Sequence, residues 1–449
     1  MTRHFLIWCA LALWGVAAAA QAQTRGYAPR GRAMPISDAL EAPAGAIARS
    51  HDGGAYDGDA YHDGAYDGGP AGCKSCGAAW GDDFCGLGGS CGVASRFWAR
   101  SELLVWWVRG ANTPPLVTTS PAGTLQPAAG VLPAAQVLFG NERVDGDGRV
   151  GGRQSLGYWF DDCGSFGLEA NYFGLETVGT DFLVSGNGAP IIGRPFVNVA
   201  TLPLPQNDAS LQSFPNIISG SVGVTTESDV LGAELNLRKA IHCDQCMRVE
   251  FLGGYRFFRL DESLYVTENT TSTDPNGQIP LGTMIDIHDR FGTQNEFHGG
   301  NLGMLMRFQD DCWALSVAGK LGIGDMRQQV SIAGNTAVTV PGVPTVTSDG
   351  GFLALSSNSG VHTRDRISFL PELALNLQYQ INCTWRANIG YTLLYVTRVL
   401  RPGDQIDLNI NPNLFPPPVV GALPNQPALL FAESDVWLQG LNFGVEAKF

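Results

Sequence analysis

The sequence predicts an all-β fold: a transmembrane antiparallel up-and-down β-barrel of about 10 strands, or 12 if the longest connection hides a hairpin. Three observations carry this. Ten segments between residues 96 and 449 alternate apolar and polar side chains. The connections between them alternate long and short. The last segment, "DVWLQGLNFGVEAKF", keeps its alternation up to a terminal Phe449. Side chains along a strand point to opposite faces, so each segment offers one greasy face and one polar or small face.

In chain order, residues 1–22 read as a secretory signal peptide. Arg3 and His4 precede the apolar run "FLIWCALALWGV", and small residues at Ala18, Ala20 and Ala22 offer cleavage points. Residues 23–95 read as a largely disordered periplasmic leader, rich in Gly, Asp and Tyr, with "GAYDG" at 54–58 and again at 64–68. It has too few large apolar groups to offset the entropy of ordering, and its His and Asp make weak metal binding the competing reading. Cys73, Cys76, Cys85 and Cys91 follow; disulfides, a structural zinc and free thiols all stay open.

Residues 96–449 supply the strands. The outward face takes Leu103, Val105 and Trp107 in the first, Leu235 and Leu237 in the fourth, and Leu373, Leu375 and Leu377 in the eighth. It ends on Leu441, Phe443, Val445 and Phe449 in the tenth. The short connections are 161–165, 240–246, 309–312 and 381–383; the long ones cover about 110–147, 176–227, 261–289, 330–363 and 399–434. Tight periplasmic turns, long external loops and an even strand number are what an outer-membrane barrel requires. In lipid only a closed barrel gives every β-strand backbone group a partner. Aromatics at segment ends, among them Trp106, Trp107, Tyr158, Trp159, Trp313, Tyr379, Trp385 and Tyr395, read as interfacial girdles. A secreted β-sandwich adhesin also alternates, but it does not predict the two-length rhythm of connections.

Composition excludes other classes. There are 28 basic against 42 acidic residues, for a net charge of −14, so no nucleic-acid surface is expected. The expected partners are outer-membrane lipid, small solutes, and the barrel assembly machinery through the strand ending at Phe449.

The matching stretches "FWARSELLVWWVRGANTPPLVTTSP", "GGRQSLGYWFDDCGSFGLEANYF", "FLGGYRFFRLDESL" and "GYTLLYVTRVLRPGDQID" carry a family resemblance. On them the chain resembles the putative beta-barrel porin family, the seventh so numbered, of planctomycete outer-membrane proteins. The resemblance implies an outer-membrane barrel. It assigns no catalytic, cofactor-binding or metal-binding residue.

The residues themselves leave several candidates to weigh. Arg100, Glu102, Arg153, Glu169, Glu234, Arg238, Glu250, Arg256, Arg307, Lys320, Glu372, Arg386, Glu446 and Lys448 fall on the inward face. They form either a selectivity lining or a salt-bridged filling. A barrel near the small end of the range favours a narrow or filled lumen. "NERVDGDGRVGG" sets Glu142, Asp145 and Asp147 around glycines, as calcium ligands or as ordinary turn chemistry. "DIHDR" sets Asp286, His288 and Asp289 at an external rim, the best enzymatic candidate, whereas His298 falls on the outward face. Cys163, Cys243, Cys246, Cys312 and Cys383 all fall in the short turns, where disulfides would tie turns to one another and to the leader, the competing reading being a local pair of Cys243 and Cys246. The expected function is a passive, porin-like or structural envelope barrel without cofactors. A rim protease or lipid-modifying enzyme is the alternative.

Overall fold

The computed structural model describes residues 96–201, 204–243, 247–310, 312–382 and 384–449. The signal peptide, the leader with its four cysteines, Cys246 and Cys383 lie outside the described residues. Ten long strands make up the wall. They are β1 (Phe97–Val108), β2 (Gly148–Trp159), β3 (Phe166–Leu175), β4 (Ile218–Cys243) and β5 (Met247–Ser272). Then come β6 (Met284–Asp310), β7 (Trp313–Thr339), β8 (Gly360–Gln380), β9 (Trp385–Leu400) and β10 (Glu433–Lys448).

Each strand pairs antiparallel with its neighbour in sequence, from β1–β2 through β9–β10. The ring closes between the first and last strands, with Trp98 opposite Lys448 and Val108 opposite Leu438. Closure leaves the lower part of the wall without free edges, which is what a strand structure in hydrocarbon needs; higher up, β4 pairs with Asp181–Gly186 from the connection after β3. Phe449 sits beyond the last pair: its N–H donates to Phe97 O at 2.8 Å, and the two rings lie 5.9 Å apart. A two-sheet sandwich would tuck the rows of Leu, Phe and Trp between its layers. Here those rows face out: Leu235, Leu302, Leu315, Leu373, Ile389 and Phe443 are all exposed.

The strands are longer than their alternation suggested. β4 to β7 run to 26 or 27 residues each, well beyond the roughly 9–11 that cross a bilayer. Along β7 the outward positions are apolar from Trp313 through Leu315, Val317 and Leu321 to Ile323, and then become Asp325, Arg327 and Gln329. The same change comes at Asp229 on β4, at Arg259 and Asp261 on β5, at Glu296 on β6 and at Asp365 on β8. Arg259 pairs with Asp261 at 2.5 Å and with Glu296 at 3.5 Å along this belt.

The inward positions change in the opposite sense. Beside the apolar belt they are Glu234, Asn236 and Arg238 on β4; beyond it they are Val230, Val224 and Val222. The barrel therefore has two storeys. The lower one, at the end with the short turns, is greasy outside and charged inside. The upper one, at the loop end, is polar outside and mainly apolar inside, with buried ion pairs of Arg194 with Glu268 and Asp289 and of Arg401 with Glu262.

Chain from the long connections fills the upper storey. Strands Val117–Ser120, Gln136–Phe139, Ile191–Asn198 and Gln206–Ser213 form a small sheet, joined by Asn409–Ile410. Leu116, Phe139, Ile192, Phe196, Leu353, Leu355, Ile406 and Ile410 from these connections pack against Val222, Leu264, Val266, Phe291, Val330 and Ile332 of the wall.

Candidate functional site

The lumen is the one feature to which every barrel strand contributes, and it divides into a charged chamber and an apolar septum. In the chamber most of the inward charges are paired. Arg238 lies 2.5 Å from both Glu169 and Glu250. Lys320 lies 2.8 Å from Glu234 and 3.1 Å from Glu372, and Arg256 bonds both of those glutamates. Arg386 approaches Glu446 at 3.6 Å, and Glu102 sits between Arg100 (3.8 Å) and Arg153 (3.6 Å). The expected salt-bridged filling is thus the arrangement found, and it includes a residue outside the expected set: Arg248, 2.5 Å from Glu250. Arg248 was legible, since it shares its parity along β5 with Glu250 and Arg256.

Tryptophans line the chamber as well as the lipid belt. Arg238 and Arg248 lie over the Trp159 ring at 4.9 and 5.0 Å, and Arg100 and Arg238 over Trp98 at 5.7 and 5.5 Å. Such cation–π contacts hold guanidiniums at fixed heights. The expectation for Trp159 as a girdle residue is therefore corrected: it points inward, on the parity of Arg153 and Ser155. A cavity of about 170 Å³ remains, reaching from Asp161 and Gly164 at the turn end up to Phe173 and Leu252.

Above the chamber the septum crosses the barrel. Leu104 and Trp106 of β1, Phe173 of β3, Val230 of β4 and Phe258 of β5 meet Phe297 of β6, Met326 of β7, Leu370 of β8, Leu394 of β9 and Leu438 of β10. Every wall strand except β2 contributes a buried apolar side chain. Trp106, the second girdle residue to be corrected, is 1% exposed at its centre. Its indole Nε1 donates to Asn442 Oδ1 at 2.8 Å, its ring lies 5.4 Å from Phe173, and Arg153 caps it from the chamber side at 5.2 Å. Gly440 and Gly232 make room for these rings; a Cβ at either would collide with Trp106 or Phe173.

The fold matches the one implied by the family resemblance, and comparison with known proteins decides it. The family model described as Putative beta barrel porin-7 matches residues 98–449. The chain belongs to that family. The match covers the whole β-barrel of this family member, from the second residue of β1 to Phe449. No curated protein matches. Among solved structures the chain is similar to the outer membrane protease OmpT from Escherichia coli, at 8% identity and a TM-score of 0.37, over 79% of this chain and 97% of that one. It is also similar to the P. putida toluene transporter TodX, at 8% identity and a TM-score of 0.18, over 79% of this chain and 90% of that one. Neither likeness carries an argument about chemistry.

Of the "DIHDR" residues, Asp286 and His288 share the outward face of β6 and Asp289 does not. His288 faces outward, its ring stacked 5.8 Å from Tyr265, with Nδ1 3.1 Å from the Tyr265 hydroxyl. Asp289, one residue on, faces inward and is 0% exposed. Its Oδ1 accepts from the backbone N–H groups of Phe352, Leu353 and Ala354 at 2.9–3.0 Å, and its Oδ2 lies 3.1 Å from Arg194. Arg194 also bonds Glu268, whose carboxyl burial pushes above the usual range while Arg194 pulls it down. This upper-storey cluster anchors two connections, 191–198 and 351–355, to the wall. His298 faces outward, as its parity predicts, 2.6 Å from the Tyr255 hydroxyl.

The Asp-Gly stretch is turn chemistry. Asp145 sits at a φ of 59°, and its Oδ1 accepts from the hydroxyls of Thr180 and Thr226, both at 2.9 Å. Glu142 and Asp147 are exposed. Among the described residues no cluster of His, Cys, Asp and Glu is arranged to hold a metal ion.

Proposed function

We propose that the chain is an outer-membrane β-barrel that is closed to solute flow and serves the envelope as a structural or surface-display scaffold. The septum carries this reading. Inward apolar side chains from nearly the whole wall form one buried cluster, and the upper lumen is filled with apolar packing from the connections. Protein interiors packed this way leave no file of water for ions to follow. The apolar outer belt of β7, from Trp313 to Ile323, supports placement in a membrane of about 25 Å hydrocarbon height. Short turns and both barrel ends, at Phe97 and Phe449, share one side, which we assign to the periplasm.

Full-length protein folded into planar bilayers tests it. The intact barrel is expected to show no stepwise conductance, and Trp106→Ala combined with Phe258→Ala and Phe297→Ala is expected to introduce it. Stepwise ion currents through the unaltered protein would overturn the reading.

The proposal extends to partners and cysteines. Lipid and the assembly machinery, the latter reached through the β10 strand and Phe449, are the partners we assign. Cys163, Cys243 and Cys312 stand at the turn end, and we assign them to disulfides formed in an oxidising periplasm. Peptide maps with and without reductant check this: all three should shift on reduction, and thiol alkylation of the unreduced protein at these positions would contradict it. Against the rim-enzyme alternative we weigh that strand alternation sends His288 and Asp289 to opposite sides of the wall, which leaves Asp286 alone beside His288.

A further inference from the structure

Charge compensation in the chamber is incomplete, and the deficit is concentrated near the turn end. Deep in the chamber the sums balance. Glu234 and Glu372 face Arg256 and Lys320, and Glu169 and Glu250 face Arg238 and Arg248. Nearer the turns they do not. Cross-strand register sets Ser155, Arg100, Glu446 and Arg386 in one inward row. A second row sets Ser316, Arg307, Arg248 and Cys243. With Arg248 already matched to Glu250, these rows leave three arginines against one glutamate, and Asp161 and Asp162, with Arg96 on Asp162, add to the turn end of the cavity. Arg307 stands directly opposite Arg248, an arrangement of like charges that a sheet normally avoids.

Two guanidiniums are left underused. Arg307 makes no ion pair among the described residues; its hydrogen bond is to Ser316 Oγ, at 3.4 Å. Arg100 shares Glu102 with Arg153 at 3.8 Å, and its buried Nε has no hydrogen-bond partner in the protein. Both line the cavity of about 170 Å³ that begins at the turns, a volume that admits a ligand of roughly benzene size. A buried cation without a counter-ion is costly, and a planar guanidinium matches two oxygens of a carboxylate or phosphate. The septum closes the far side, so a ligand enters and leaves from the turn end.

We infer that the turn-end half of the lumen is a binding site for a small oxyanion, a phosphate or a carboxylate, held on the guanidiniums of Arg100 and Arg307. The cavity lining carries eight Lys and Arg against seven Asp and Glu, so in a chain of net charge −14 its balance is locally reversed, and the guanidiniums without a close carboxylate set where an anion would sit.

Titration calorimetry on the full chain folded in detergent at low salt tests the site, with inorganic phosphate and succinate as separate titrants. At least one should bind with unit stoichiometry, and which one binds assigns the ligand class. Arg307→Gln should weaken that binding by roughly tenfold, the loss of one charge-assisted contact. Arg307→Lys, which keeps the charge and loses the two-pronged donor, should fall between Arg307→Gln and the unaltered protein, and Arg290→Gln, at an exposed position outside the lumen, should change nothing. Thermal unfolding of each variant checks that the barrel has formed. The inference is overturned if neither titrant binds, or if both Arg307→Gln and Arg100→Gln bind as the unaltered protein does. Conductance and anion binding are read separately, so a leaky septum and an empty cation site would be distinguishable failures.

Discussion

At the residue scale, parity decides what a side chain does. His288 and Asp289 are neighbours in sequence, yet one stacks on a tyrosine at the surface and the other is sealed inside. Asp289 cannot be spared: it satisfies three backbone donors and Arg194 together. Removing one member of a buried charge cluster leaves the others uncompensated, a cost of about 3–5 kcal/mol. Asp289→Ala should therefore lower the stability of the folded barrel by about that amount in denaturant titrations, and Asp286→Ala should leave it nearly unchanged. Glu268 adds a pH signature. Its folded-state carboxyl is raised by burial, so its contribution is fully present below the ordinary glutamate range and is lost as pH rises through the folded value. Glu268→Gln should accordingly gain on the unaltered protein as pH rises from about 4 to 7. A variant that instead loses ground over that window would show that the Arg194 pair outweighs burial.

At the element scale, each long strand is two strands end to end. β4 reads apolar at odd positions from Leu231 to Leu237, and buries Val222, Val224 and Val230 at even positions, with Thr226 and Ser228 between them. The backbone does not slip and the faces do not exchange. Only the surroundings change, from lipid outside to packed protein inside. This is why the lower strands were legible in the sequence and their upper halves were not. A search for apolar residues of constant parity stops where the polarity reverses, near Asp229, Arg259, Glu296 and Asp325, and assigns the remainder to loops. Trp106 and Trp159 were misplaced for a related reason, because nearness to a segment end outweighed their shared parity with Leu104 and Arg153. The two halves should tolerate charge differently. Leu375→Arg, on the lipid belt of β8, should cost about 2–4 kcal/mol of stability in bilayers. Gln294→Arg, outward on the upper part of β6, should cost almost nothing. Equal costs at the two sites would contradict the division.

At the scale of the whole molecule, the ring of ten strands, the antiparallel order, the closing contact at Phe449 and the charged lower lumen could all be read from the chain. The filled upper storey could not. Its core joins Leu116, Phe196, Leu353 and Ile406 from four separate connections, and no local periodicity announces such a meeting. The candidate site was half legible: the lumenal charges were named, but the septum that turns a channel into a chamber was hidden among residues shared with the belt alternation. The central claim is that lipid touches only the lower storey, although β4 to β8 run on past it. Nitroxide labels placed at successive positions along β7, from Trp313 to Thr339, measure this most directly in reconstituted bilayers. Odd positions from 313 to 323 should be accessible to oxygen dissolved in lipid. Odd positions from 325 onward should be accessible instead to a water-soluble relaxant, with even positions shielded from both. Oxygen accessibility continuing at odd positions to the end of the strand would contradict the account.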